Sequence, residues 1–112
     1  MEVSVSSQRR GSVLTVAVAG EVDLATCPTV EDAINDAIAG DGVTSVQVEL
    51  SEVTFLDSSG IALLLRGRRN ADGRGVAYRV TGARGITQEV LVITGVWAHL
   101  SGDTGNRQPT VS

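Results

Sequence analysis

The chain has 112 residues, which suits one domain with its own core, and carries a net charge of −4 from thirteen acidic residues and nine arginines. An acidic chain with only 3% aromatic residues is a poor binder of nucleic acid, which favours basic surfaces and stacking side chains. With one cysteine and no apolar run long enough to cross a bilayer, the sequence predicts a cytoplasmic protein without an internal disulfide.

The first third of the chain predicts a β-hairpin and then a helix. Residues 3–7 and 13–19 alternate apolar and polar side chains as strands do, and the polar turn QRRGS separates them. Within residues 30–38 the apolar side chains recur at helical spacing, with Pro28 near the first turn and Gly40 just past the end. The backbone chemistry of proline and glycine favours these two positions at helix boundaries.

Candidate capping residues stand at the start of each of the first two predicted helices. Thr29 and Asp32 have the spacing of a capping pair, in which each side chain satisfies an amide at the start of the first helix. Asp57 stands before the second helix, where its carboxylate is expected to accept hydrogen bonds from the amides of Ser59 or Gly60. The second helix is therefore expected to begin directly after Asp57.

The second half of the chain predicts a further alternation of strands and helices. The second helix has an apolar face at Ile61, Leu64 and Leu65, and we expect it to end in the ADGRG segment. Arginines within residues 66–69 would then lie near its end, where cations complement the helix dipole. The other predicted elements are strands at 45–50 and 76–81, a helix at 83–95 and a short strand at 96–100.

The resulting order of elements is β-β-α-β-α-β-α-β, which defines an α/β fold. Strands that alternate with helices are joined by right-handed crossovers into a largely parallel sheet, here with an antiparallel start. We expect about five strands and three or more helices in a single domain at residues 1–100. Residues 101–112 have little apolar content and are predicted to form a flexible tail.

The sequence offers little for metal, nucleotide or hydrolytic chemistry. His99 and Cys27 have no partners at ligand spacing, so neither a metal site nor a cofactor is predicted. The G-x-G segments precede strands rather than helices, and the lack of any lysine excludes a P-loop. A hydrolase built on Ser58 or Ser59 would lack the nucleophile-elbow pattern and a base tied to the serines. The chain is therefore not expected to be an enzyme.

The polar stretch at residues 57–60 lies between two apolar runs and has two interpretations. In the first, Asp and Ser simply end a strand and cap a helix. In the second, Ser58 carries a phosphate at the first helical position, where free amides and the helix dipole favour an anion. The residues by themselves favour the simple cap and leave the second interpretation open.

Three segments of the chain, in this order, are similar to those of a known protein family. They are GEVDLAT at 20–26, VQVELSEVTFLDSSG at 46–60 followed by IALLL, and TGV at 94–96. Over residues 3–100 the chain thereby resembles the anti-sigma-factor antagonists of the STAS domain family. It departs from their pattern at Ala62, where many members have glycine, and in the second helix, where arginines replace the usual lysines.

The resemblance implies a protein that acts by binding. Members of the family bind an anti-sigma factor, usually a serine kinase of the GHKL ATPase type, and so release a sigma factor; a PP2C-type phosphatase reverses the phosphorylation. The phosphoacceptor position maps to Ser58, with Ser59 the less favoured alternative. The partner-binding positions map to Asp23, Asp57, Ser58, Ser59 and Gly60.

The resemblance is also compatible with a second function, and the sequence does not require an oligomer. Some STAS domains are scaffolds or subunits of stress-signalling or lipid-transport assemblies that are never phosphorylated. In such a protein the serines after Asp57 would serve only to cap the helix. Nothing in the sequence requires more than a monomer.

Overall fold

The computed structural model describes residues 2–83 of the chain. These residues form four strands and two helices, compared with the five or so strands and three or more helices expected for the whole domain. The predicted helix beyond Ala83, the strand at 96–100 and the tail at 101–112 lie outside the described residues. The elements are β1 (Val3–Arg10), β2 (Val13–Val22), α1 (Cys27–Ile38), β3 (Ser45–Leu56), α2 (Ser58–Arg74) and β4 (Ala77–Thr81).

The four strands form one mixed sheet in the order β1-β2-β3-β4. β1 and β2 pair antiparallel, which confirms the predicted hairpin, although the pairing continues to Arg10 and leaves only Gly11 and Ser12 in the turn. β3 pairs in parallel with both β2 and β4. Each crossover therefore joins neighbouring strands, and right-handed crossovers of this kind place α1 and α2 on the same face of the sheet.

The core lies between that face of the sheet and the two helices. It is built from aliphatic side chains, as the low aromatic content requires, and Val16, Val48, Ile34 and Leu63 are almost completely buried. Burying a side chain of this size contributes about 1.5–3 kcal/mol. α1 packs against β1, β2 and β3, and α2 packs against β3 and β4. The core therefore fixes where both helices begin relative to the ends of the strands.

α1 begins earlier than the sequence indicated. Its first residue is Cys27 and its N-cap residue is Thr26, so the expected capping pair of Thr29 and Asp32 is wrong. Thr29 already lies inside the first turn, and Pro28 occupies that turn as expected. The start of α1 is displaced because the loop that precedes it has its own hydrogen bonds, which are described below with the site.

α2 ends later than the sequence indicated. It continues through the ADGRG segment as far as Gly75, which has a left-handed φ of +71°. The amide of Val76 donates to the carbonyl of Ala71 at 2.9 Å and that of Gly75 donates to Asp72 at 3.2 Å, the two bonds of a Schellman motif. Because Ala71 is fully buried, packing of the last turns outweighs the low helix propensity of the segment.

The arginines of α2 lie in the middle of the helix rather than at its end, where Arg74 stands instead. Arg66 donates two hydrogen bonds to the carboxylate of Glu31 in α1, at 2.6 and 2.9 Å. One turn further on, the amide of Asn70 donates to Asn35 at 3.0 Å. These exposed contacts add little stability, but they join the two helices side by side.

The buried face of α2 combines leucines with small residues. Leu64 lies on it as predicted, whereas Ile61 and Leu65 are only partly buried and pack at its margin. Leu63, which the sequence analysis did not place on this face, is among the most buried residues. The full set is Gly60, Leu63, Leu64, Gly67 and Ala71.

Candidate functional site

Asp57 joins the end of β3 to the start of α2 and caps that helix. Its backbone is extended, and Oδ1 accepts hydrogen bonds from the amides of Ser59 at 2.9 Å and Gly60 at 3.2 Å. These are two of the amides that the start of a helix leaves without partners. The predicted N-cap is confirmed, and it makes Ser58 the first residue of α2.

The hydroxyl of Ser59 is engaged within the cap. Ser59 Oγ donates to the same Asp57 Oδ1 at 2.5 Å, and the residue is only partly exposed. This bond, followed by the amide bonds from Gly60 and Ser59, stabilises the carboxylate and holds the pKa of Asp57 below its ordinary value. Ser59 therefore supports the cap, and its hydroxyl has to leave Asp57 before it can react.

Ser58 has the opposite surroundings, although it is the next residue along the chain. Its side chain is exposed, and its hydroxyl makes no hydrogen bond within residues 2–83. The 17-residue helix behind it directs the positive end of its dipole towards this position. The structure therefore presents one unengaged hydroxyl at a place that accommodates a negative charge.

Asp23 organises the loop between β2 and α1. Its Oδ1 accepts hydrogen bonds from the amides of Ala25 and Thr26, both at 3.0 Å. The hydroxyl of Thr26 accepts from the amide of Asp23 at 2.9 Å and donates to the carbonyl of Glu21 at 2.8 Å. Asp23 thus has a definite structural role in holding the loop; its contact with a partner stays a prediction.

The two loops meet at one edge of the sheet. Val22 and Leu56 are the last residues of β2 and β3, and they are partners in the parallel register. Asp23 and Asp57 follow them directly, and the amide of Asp57 donates to the carbonyl of Val22 at 3.3 Å. The fold therefore brings Asp23 to the same edge as the stretch at residues 57–60. This edge is called the switch edge below.

Gly60 allows α2 to approach the ends of the strands closely. The residue is buried, and a Cβ atom there would overlap Leu56 Cδ1 and lie 3.0 Å from Val22 Cγ1. Any larger residue would have to displace the buried side chain of Leu56 or the first turn of α2. In the structure, Gly60 therefore contributes to the close packing of α2 beneath the switch edge.

Two exposed apolar side chains lie at the switch edge and were not singled out from the sequence. Leu24, in the loop held by Asp23, is 78% exposed, and Phe55, next to last in β3, is 41% exposed. They are the large hydrophobic residues exposed within residues 2–83. Their sequence signal is weak, because an exposed position for Phe55 follows only once the end and register of β3 are known.

The structure also bears on metal sites and membrane-spanning helices. Residues 2–83 contain no group of three or more His, Cys, Asp or Glu side chains placed to hold a metal ion. His99 lies outside these residues, and Cys27 is buried at the start of α1. Neither helix in the described part of the chain has the length and apolar character needed to span a membrane.

The molecule is an α/β domain with a mixed sheet and both described helices on one face. It presents the hydroxyl of Ser58 beside the cap formed by Asp57 at the switch edge. The family model described as "Mlab, STAS domain" matches residues 5–100 of the chain. The chain belongs to the STAS domain family, as the three sequence segments indicated. The match extends beyond the described residues and includes the region of the last predicted helix and strand.

Several known proteins resemble this chain. The anti-sigma-F factor antagonist RsfB of Mycobacterium tuberculosis is 28% identical over 94 residues, which cover 84% of this chain and 75% of RsfB. The structure of an anti-sigma factor antagonist from Mycobacterium paratuberculosis matches with a TM-score of 0.79 at 28% identity, covering 88% of this chain and 83% of that one. The phosphorylated form of the Bacillus cell fate determinant SpoIIAA matches with a TM-score of 0.67, covering 90% and 92%; at 19% identity it shows a shared fold.

Proposed function

We propose that this chain is an anti-sigma-factor antagonist whose binding is switched off by phosphorylation of Ser58. In its unphosphorylated form it binds an anti-sigma factor and thereby releases a sigma factor. Two proteins that are 28% identical to it are named as anti-sigma factor antagonists, which supports this class of partner. The chain acts by binding and not as an enzyme.

The observation that carries the proposal is the contrast between the two adjacent serines. The hydroxyl of Ser59 is bonded to Asp57 at 2.5 Å, whereas that of Ser58 is exposed and makes no hydrogen bond to another described residue. A kinase that reaches this edge finds Ser58 ready to react and Ser59 held by the cap. The cap that lowers the pKa of Asp57 therefore also selects the phosphoacceptor.

The modifying partners of the proposal are a GHKL-type serine kinase and a PP2C-type phosphatase. In the kinase reaction Ser58 Oγ attacks the γ-phosphorus of ATP, an O–P bond forms as the bond to the ADP oxygen breaks, and the hydroxyl proton passes to a base of the kinase. Hydrolysis of the phosphate ester by the phosphatase restores the hydroxyl. The kinase is itself the anti-sigma factor in this scheme.

The phosphate weakens binding through its charge. It adds about −1.5 to −2 charges at neutral pH, next to a carboxylate of lowered pKa that is already ionised. At an effective dielectric constant of about 20, two unit charges about 4 Å apart interact by about 4 kcal/mol. One third of that energy, incurred when a partner covers the site, is enough for a tenfold loss of affinity. No refolding is required, because Asp57 and Ser59 form the cap without the hydroxyl of Ser58.

Site mapping by peptide mass spectrometry tests this proposal. The kinase is first identified by capture on the Ser58→Ala variant, which cannot be released by phosphorylation. The purified kinase and ATP are then incubated with the wild-type chain, the Ser58→Ala variant and the matched Ser59→Ala variant. We expect phosphate on Ser58 in the wild type and in Ser59→Ala, and none in Ser58→Ala.

Two outcomes contradict the proposal. One is phosphate on Ser59 alone, or on neither serine of the wild-type chain. The other is equal affinity of the kinase for Ser58→Ala and Ser58→Glu, the behaviour of a STAS scaffold whose serines only cap a helix.

A further inference from the structure

We propose that Leu24 and Phe55 are the apolar anchors of the partner-binding surface and are received by an apolar pocket of the kinase that phosphorylates Ser58. The inference rests on the proposed function and adds to it the residues that supply affinity. These two residues are called the apolar pair. Their exposed fractions are 78% for Leu24 and 41% for Phe55.

The apolar pair is held in place before any partner arrives. Leu24 lies in the loop whose backbone is fixed by the carboxylate of Asp23 and the buried hydroxyl of Thr26. Phe55 belongs to β3 and stands opposite Glu21 in the parallel register with β2. Because the backbone at both positions is already ordered, binding through them avoids the entropic cost of ordering a loop.

The Cα atoms of the apolar pair and of Ser58 lie within the span of one protein–protein footprint. Leu24 lies two residues beyond Val22, whose register partner Leu56 lies one residue from Phe55 and two residues from Ser58. With about 3.8 Å between consecutive Cα atoms and about 4.8 Å between paired strands, these positions are at most about 20 Å apart. A standard interface of about 800 Å² on each partner is about 30 Å across.

The occupant of this surface follows from the same geometry. A kinase has to enclose the hydroxyl of Ser58 to phosphorylate it, so its surface extends over the neighbouring parts of the switch edge. Within residues 2–83, Leu24 and Phe55 are the large apolar side chains left exposed, and both lie at this edge. A few well-packed residues at the desolvated centre of an interface supply most of its binding energy, whereas charged pairs exposed at its rim supply little.

The position of the apolar pair also explains why one phosphate is sufficient as a switch. When Leu24 and Phe55 enter an apolar pocket, water is excluded from the switch edge and the local dielectric constant falls. A phosphate on Ser58 must then lose part of its hydration without a compensating contact, which is costly for a charged group. The anchors therefore amplify the effect of the charge that the kinase adds.

Binding of the purified kinase to the full chain tests the inference. The variants are Leu24→Ser, Phe55→Ser and the double variant, with Ala39→Ser as a matched control, since Ala39 is exposed and lies at the other end of α1. We expect the double variant to bind at least tenfold more weakly than the wild type, each single variant to lie between them, and Ala39→Ser to bind as the wild type does. Leu24→Ser and Ala39→Ser should keep the melting temperature of the wild type, because these side chains are largely exposed. Phe55→Ser also removes the buried part of an aromatic side chain in β3, so the affinities are compared at a temperature at which all four variants are folded.

The outcomes separate the apolar pair from the proposed function. If the kinase phosphorylates Ser58 of the wild type but binds the double variant within twofold of the wild type, the apolar pair is not an anchor and the proposed function stands. If the wild type acquires no phosphate on Ser58, the proposed function fails first. A double variant that abolishes self-association of the chain without changing kinase affinity would assign the surface to a second copy and overturn the inference. In steady-state kinetics we expect the double variant to have a higher KM as protein substrate than the wild type. Its kcat should be nearly unchanged, because the anchors do not touch the reacting hydroxyl.

Discussion

The two helices begin at the same edge of the sheet, yet their first residues differ: an exposed serine begins α2 and a buried cysteine begins α1. At α1 the N-cap residue Thr26 is buried and directs its hydroxyl to the carbonyl of Glu21, and its side chain makes no capping bond. At α2 the cap is made by Asp57, and the next residue, Ser58, is exposed. Both starts have the dipole of a helix N-terminus, and at both the first amides are hydrogen-bonded to residues of the preceding loop.

The difference shows that a helix start does not by itself leave a hydroxyl exposed at the first residue of the helix. At α2, three neighbouring side chains have different hydrogen-bonding roles. Asp57 satisfies the amides, Ser59 holds Asp57, and Ser58 is left with its hydroxyl in solvent. At α1 the hydroxyl of Thr26 is used to close the loop, and its neighbour Cys27 is buried.

Among the predictions that test this comparison, the largest change in the free energy of unfolding is expected from adding a side chain beneath the start of α2. A Gly60→Ala variant places a Cβ against Leu56 and Val22, so we expect a loss of about 1–3 kcal/mol in the free energy of unfolding, from overpacking. Gly73→Ala is the matched control, because a Cβ there meets no atom within 4 Å. In the control the helix interior should gain about 0.5–1 kcal/mol. Urea denaturation measures both, and equal changes of the same sign would show that α2 does not approach the strands closely.

A smaller effect is expected from the titration of Asp57. Because its pKa is lowered in the folded chain, its carboxylate contributes stability that is present above the unfolded pKa of about 3.9 and is lost as pH falls through the folded pKa. Ser59→Ala removes the largest cause of the shift, so the pKa of Asp57 should rise towards its ordinary value. The stability difference between wild type and variant should therefore be larger near neutral pH than at about pH 2. Titration of the Asp57 carboxyl by NMR, with urea denaturation across that range, measures both; an unchanged pKa in Ser59→Ala would remove Ser59 from the cap.

The parts of the fold that the sequence predicted are those set by local patterns. Alternation indicated the hairpin and the start of β3, helical spacing indicated both helices, and the Asp-Ser-Ser-Gly order indicated the cap at Asp57. One error lies where burial in the core decides, and the other lies where side-chain hydrogen bonds within a loop decide. Burial of Ala71 carries α2 through a segment rich in glycine, and the bonds among Glu21, Asp23 and Thr26 set the start of α1.

The same distinction applies to the candidate site. The preference for Ser58 over Ser59 follows from the cap position and from the family resemblance, and it stays a prediction. The apolar pair was not, because the exposure of Leu24 and Phe55 depends on where β2 and β3 end relative to each other. The packing role of Gly60 likewise depends on Leu56 and Val22, which meet it only in the folded chain.

The central claim is that a phosphate on Ser58 turns off binding to the anti-sigma factor without unfolding the switch edge. The most direct test is the Kd of the purified kinase, loaded with ADP, for the wild-type chain before and after complete phosphorylation of Ser58. We expect the phosphorylated chain to bind at least tenfold more weakly, with the NMR signals of Asp57 and Ser59 still showing a formed cap. An unchanged or stronger affinity after phosphorylation would contradict the account.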